Sequence, residues 1–159
     1  MKLASPLLCF LLGGGMLLAG CSTAPKLGGV TVSIAGIRPA GAAAGHDRAI
    51  LTLRFTSENV NAIAFSASTH KLYLNGSYVG KAESDQPIGL QPLVSVTQDV
   101  TVIFEKPAVV RQAMATHDRP PASYRLESVL RFFDNEEKFQ FKSQSDGSLS
   151  LQALEGTIR

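Results

Sequence analysis

The chain has 159 residues, 45% hydrophobic and 18% charged, with no tryptophan, two cysteines and a formal net charge of +2. That length and apolar content suit one domain with a real core. Lysines and arginines form no cluster, so the electrostatic footprint of a nucleic-acid binder is missing.

Residues 1–20 read as a secretory signal. Lys2 supplies a positive start, and Leu7 to Leu18 is almost wholly apolar around Gly13, Gly14 and Gly15. The run is short of the roughly 20 residues that a membrane-spanning helix needs. It ends in Leu18-Ala19-Gly20-Cys21, which matches the bacterial lipobox. In that motif small residues mark the cleavage site, the cysteine sulfur takes a diacylglyceryl group, and the freed amine takes a further chain. The competing reading is an ordinary signal peptide with a chance cysteine. The position of the box directly after the apolar run favours lipidation of Cys21. Each buried methylene contributes about 0.8 kcal/mol, so two or three chains hold far better than one.

Ser22 stands where aspartate would favour retention in an inner membrane. It resembles the outer-membrane sorting pattern of two-membrane bacteria, so the expected location is the cell envelope, on the periplasmic face of the outer membrane rather than the inner membrane. Cys9 leaves with the signal and Cys21 is acylated, so no thiol remains for a disulfide or a metal. Ser22 to Gly29, with Pro25, Gly28 and Gly29, is a linker. Fully extended it reaches about 26–29 Å, which keeps the domain at residues 30–159 close to the membrane.

From Val30 the pattern has period two. Val30, Val32 and Ile34 alternate with Thr31, Ser33 and Ala35, and Gly36 to Gly45 reads as a loop. Leu51, Leu53 and Phe55 alternate with polar residues in the clearest half-buried strand, ended by Glu58-Asn59-Val60-Asn61. Ser66 to Leu74 leads into Asn75-Gly76 and then Ser77 to Lys81. Asn-Gly between apolar runs predicts a tight hairpin, because both turn residues take positive φ. Pro87 to Pro92 reads as a second loop.

Val94, Val96, Val100, Val102 and Phe104 share one parity. They predict one long strand, or one with a bulge near Gln98-Asp99. Over 107–117, Val109, Val110, Ala113 and Met114 fall at helical spacing, with Pro107 suited to a first turn and Arg119-Pro120-Pro121 as a stop. Tyr124, Leu126, Leu130 and Phe132 share a parity, with Val129 and Phe133 on the other face. Asp134 to Glu137 reads as a turn, Phe139 and Phe141 as strand residues, and Asp146-Gly147 as another hairpin before Leu149 and Leu151. Seven or eight short strands and one short helix predict an all-β, antiparallel, immunoglobulin- or fibronectin type III-like sandwich. The lack of regular helices between strands argues against a parallel sheet.

Over about Val30 to Phe133 the chain resembles the type 2 late embryogenesis abundant (LEA), or WHy (water stress and hypersensitive response), domain family. The resemblance rests on Ile34-Ala35-Gly36-Ile37, Leu51-Thr52-Leu53-Arg54-Phe55 before an asparagine-rich turn, Tyr73-Leu74-Asn75-Gly76, and Tyr124-Arg125-Leu126-Glu127. Asn59-Val60-Asn61 lacks the family's central proline, and Ser128 stands where glycine is common. The resemblance implies a sandwich fold, a link to desiccation and other stress, and protection of proteins. It implies no catalytic residue, and bacterial members are often lipoproteins.

The remaining chemistry is sparse. His46, His70 and His117 have no ligand spacing and read as surface histidines. Asp85, Asp99 and Asp118 are scattered and form no calcium loop. Glu136-Glu137 reads as a solvated turn rather than an acid/base pair. No Gly-x-Ser-x-Gly elbow and no phosphate loop occurs. Asn59 and Asn61 read as turn residues that tolerate positive φ, or as a cap that orders the strand end. Tyr78 reads as a cross-strand packing residue, or as an exposed contact for a partner.

No cofactor, metal or binding residue beyond the lipid on Cys21 is therefore expected. The leading expectation is a membrane-anchored, non-enzymatic stress protein that meets protein clients through weak contacts. The second is a structural module that docks one envelope partner. An enzyme assembled from scattered residues is the outsider.

Overall fold

The computed structural model describes residues 29–115, 121–134, 137–155 and 158. The strands are β1 (Val30–Pro39), β2 (Arg48–Ser57), β3 (Ile63–Phe65), β4 (Ala67–Leu74), β5 (Ser77–Ser84), β6 (Ile88–Leu90), β7 (Ser95–Phe104), β8 (Ala122–Asp134) and β9 (Glu137–Leu149). Among the described residues one α-helix, α1, covers Pro107–Met114. Seven strands form one antiparallel sheet in the order β1-β2-β7-β5-β4-β8-β9, and β3 pairs with β6 in a small second ladder. The all-β expectation is met, with the sheet rolled into a nearly closed barrel.

The ladder shows how a sandwich pattern produces this shape. The β5–β7 joint holds just Gly80–Phe104, Lys81–Ile103 and Ala82–Val102. It links a three-stranded layer (β1-β2-β7) to a four-stranded layer (β5-β4-β8-β9). The backbones come so close there that a Cβ on Gly80 would lie 2.1 Å from the Ile103 carbonyl oxygen. Inward side chains of both layers meet in one core. Ala49, Leu51, Leu53 and Phe55 from β2 and Val100, Val102 and Phe104 from β7 face Leu72, Leu74, Leu126 and Leu130 from β4 and β8.

The far edges approach without forming a ladder. The Val32 N–H donates to Ser143 Oγ at 3.3 Å, and the Ile34 N–H donates to the Tyr124 hydroxyl at 3.3 Å. Side chains thus occupy donors that an open sheet edge would offer to another strand.

Several sequence expectations shift. The Gly36–Gly45 loop begins later, because β1 runs to Pro39. A bulge between Ile34 and Gly36 flips its parity, so Val30 and Val32 point inward before it and Ile37 after it. β7 starts at Ser95 and pairs with β2 in unbroken register, so no bulge lies at Gln98-Asp99. The Pro87–Pro92 loop contains β6. The helix has Pro107 at its start as expected and ends at Met114 rather than 117.

Asn75-Gly76 turns as predicted, with φ of 47° and 79°. Asp146-Gly147 does not turn. Both residues continue β9 opposite Arg125 and Tyr124. Gly147 makes room for a ring instead: a Cβ there would meet Tyr124 Cε1 at 2.7 Å. Asp146 accepts from Arg125 Nε at 3.0 Å. The Asp134–Glu137 strand ends pair, while residues 135 and 136 lie outside the described residues.

Candidate functional site

Leu18, Ala19, Gly20, Cys21, His117, Asp118 and Glu136 lie outside the described residues. No three His, Cys, Asp or Glu side chains gather as a metal site among the described residues. No described helix is long and apolar enough to cross a membrane. Asp99 and Asp85 are exposed on different strands or loops, and Asp99 is held by Thr52 Oγ1 at 2.6 Å and Arg38 Nη2 at 2.8 Å. Those two hydrogen bonds, the Thr52 one first, pull its carboxyl below the usual carboxylate range.

His70 overturns its reading as a surface residue. His46 is exposed in the turn before β2, but His70 is 1% exposed. Its parity explains this: Ser68, His70, Leu72 and Leu74 all point inward from β4. Its Nδ1 pairs with Ser128 Oγ at 2.8 Å, and its ring meets Phe55 edge-on at 6.1 Å between centroids. Its Nε2 has no hydrogen-bond partner. Burial disfavours the charged ring and lowers its pKa to about 4, so the imidazole is neutral. A serine–histidine bond is one requirement of a nucleophilic site. Here both side chains are sealed in the core, and no substrate carbonyl can reach Ser128 Oγ.

Asn59 acts as a cap on its strand end. Its backbone N–H and side-chain amide both reach Ser57 Oγ, at 3.3 and 3.5 Å. Neither Asn59 nor Asn61 has positive φ. Tyr78 is half-buried, packs edge-on against Tyr73 at 5.6 Å, and lies under Lys106 Nζ at 5.8 Å. Cross-strand packing is what it does. Partial burial, then a hydrogen bond from the phenol to Glu105, raises its pKa.

Among the described residues, a shallow groove of about 390 Å³ on the outer face of β4, β8 and β9 brings polar side chains together. Register builds it in rows: Thr69, Val129 and Lys142 lie side by side, as do Lys71, Glu127 and Gln144. Tyr73 donates to Glu127 Oε2 at 3.2 Å, and Arg131 Nη2 donates to Thr69 Oγ1 at 2.8 Å, so the groove is already cross-linked by its neighbours. Its lysines, carboxylate and amide can exchange hydrogen bonds with a polar surface. Sequence reasoning missed it, because it depends on which outward residues the register sets side by side.

No family model and no curated protein matches the chain. Among solved structures, the AT1g01470 protein from Arabidopsis thaliana is similar over 85% of this chain and 89% of its own, at 16% identity with a TM-score of 0.60. A protein from Archaeoglobus fulgidus aligns over 75% of this chain and 94% of its own, at 14% identity and a TM-score of 0.43. A Bacteroides uniformis beta-glucuronidase aligns over 76% of this chain and 13% of its own, at 15% identity and a TM-score of 0.34. At 16% identity the likeness to the plant protein is one of fold: the chain is a similar small β domain.

Proposed function

We infer that the protein is a lipid-anchored, non-enzymatic envelope domain of the LEA type 2 or WHy kind, which protects nearby proteins under stress through weak polar contacts. The observation that carries this reading is the outer-face groove. It presents Lys71, Glu127, Lys142 and Gln144 with both signs of charge and no deep enclosure. Such a surface suits many short-lived contacts better than one tight ligand. The likeness in fold to the plant protein supports the small β domain that the sequence resemblance implies. The lipobox at Cys21 supplies the anchor, and a short linker keeps the groove near the membrane.

The test follows the aggregation of a labile enzyme through heating or drying beside vesicles that carry the lipidated protein. Vesicles with an unrelated lipidated β-sandwich of similar size serve as control. Protection beyond the control, reduced by Lys71→Glu with Lys142→Glu, supports the reading. Equal aggregation in both samples contradicts it. If mild crosslinking in cells then yields one dominant partner at fixed ratio, the domain is a docking module instead.

A further inference from the structure

Among the described residues, three of the four most exposed large apolar side chains lie together. Val60 is 79% exposed, Leu93 72% and Val94 43%, and all three sit at one end of the barrel; Ile103, at 39%, is elsewhere. Strand order places them together. The 58–62 loop leaves the end of β2, and the 91–94 turn enters the paired end of β7. The Ser57 N–H donates to the Val94 carbonyl at 3.1 Å, which holds the two loops side by side.

The chain enters the domain at this same end. The Glu58 N–H donates to the Gly29 carbonyl at 2.7 Å, so Gly29 is fixed beside the Val60 loop. Eight peptide steps separate Gly29 from Cys21, at most about 26–29 Å. A lipid on Cys21 therefore keeps this end tethered within about 26–29 Å of the bilayer.

Leu93 adds an independent sign. It is the third residue of a turn closed by the Val94 N–H and the Gln91 carbonyl at 3.4 Å, and its φ is +58°. Glycine or asparagine is favoured there, and a bulky residue is a conformational outlier. Folding alone would not place an exposed leucine at that position. The tips Asn59–Ala62 and Gln91–Val94 carry no charge. Glu58, directly before the first tip, would oppose an anionic surface, so the contact the tips suit is apolar rather than electrostatic.

We propose that Val60, Leu93 and Val94 form a second membrane contact, which dips into the interface and stands the barrel end-on beside its lipid anchor. This inference rests on the anchored reading of Cys21. The chain has no tryptophan, so one introduced tryptophan reports its own surroundings. Full-length Leu93→Trp and Val60→Trp proteins, lipidated in the host membrane, are reconstituted into phosphatidylethanolamine/phosphatidylglycerol vesicles with and without brominated chains. Ser77→Trp, at the start of β5 and so at the opposite end of the barrel, is the control.

Quenching and a blue shift of emission at 93 and 60, unchanged in high salt and absent at 77, is the expected result. Vesicle-bound protein with unquenched tryptophan at 93 and 60 overturns the second contact and leaves the anchor standing. Quenching at all three positions overturns the end-on pose. Protein that does not sediment with vesicles overturns anchor and contact together. Val60→Trp lies in a loop without positive φ, so it decides the matter if Leu93→Trp misfolds.

Discussion

At the scale of single residues, His70 governs how the domain responds to acid. Its pKa is about 4 in the fold and near 6.5 in the unfolded chain. Between those values the unfolded state binds more protons, so stability is intact above pH 6.5 and declines as pH falls towards 4. The loss is on the order of 3 kcal/mol, roughly 1.4 kcal/mol per pH unit. Denaturant titrations from pH 7 to 4 should show this slope, and His70→Leu should flatten it. Asp99 and Asp146 act lower: their depressed carboxyl pKa values give stability that is lost only as pH falls below the ordinary carboxylate range. Tyr124 and Gly147 form a second linked pair, since the glycine admits the ring whose hydroxyl reaches β1. Tyr124→Phe should cost about 1 kcal/mol in chemical unfolding. Gly147→Ala should cost about 1–3 kcal/mol, because the ring must move.

At the scale of elements, the β5–β7 joint is the narrow link between the two layers. Gly80→Ala sets a methyl against the Ile103 carbonyl and should destabilise by several kcal/mol or prevent folding, read as a lowered melting midpoint. Most of these elements were legible in the sequence. Leu51-Leu53-Phe55 and Tyr124-Leu126 alternate cleanly because one face is buried and the other wet. Asn75-Gly76 was legible because its turn demands two positive φ values. Asp146-Gly147 carried the same local signal and failed, since the glycine answers to a ring on the neighbouring strand. His70 was legible in principle from its parity with Leu72 and Leu74, but residue type suggested a surface. The bulge at Ile34–Gly36 and the groove at Lys71, Glu127 and Lys142 depend on pairing register, which alternation alone does not specify.

At the scale of the whole molecule, the barrel has a seam between β1 and β9 and an end where the chain enters at Gly29. β1 and β9 meet through side chains, so they should open before the paired interior strands. Hydrogen exchange should be faster in β1 and β9 than in β2, β4 and β8 at neutral pH. Uniform protection across all seven strands would show that the seam is as strong as a ladder. Under the anchored reading proposed above, linker length, Gly29 and the Val60 and Leu93 loops bring the same end of the barrel towards the membrane and leave the groove on the side of the other layer. That reading starts from the proposed lipidation of Cys21. The deciding measurement is the intact mass and amino-terminal peptide of the protein extracted from its native membrane. The account predicts a chain that begins at Cys21 and carries a diacylglyceryl group with a further acyl chain. A chain that begins elsewhere, or carries an unmodified Cys21, would contradict it.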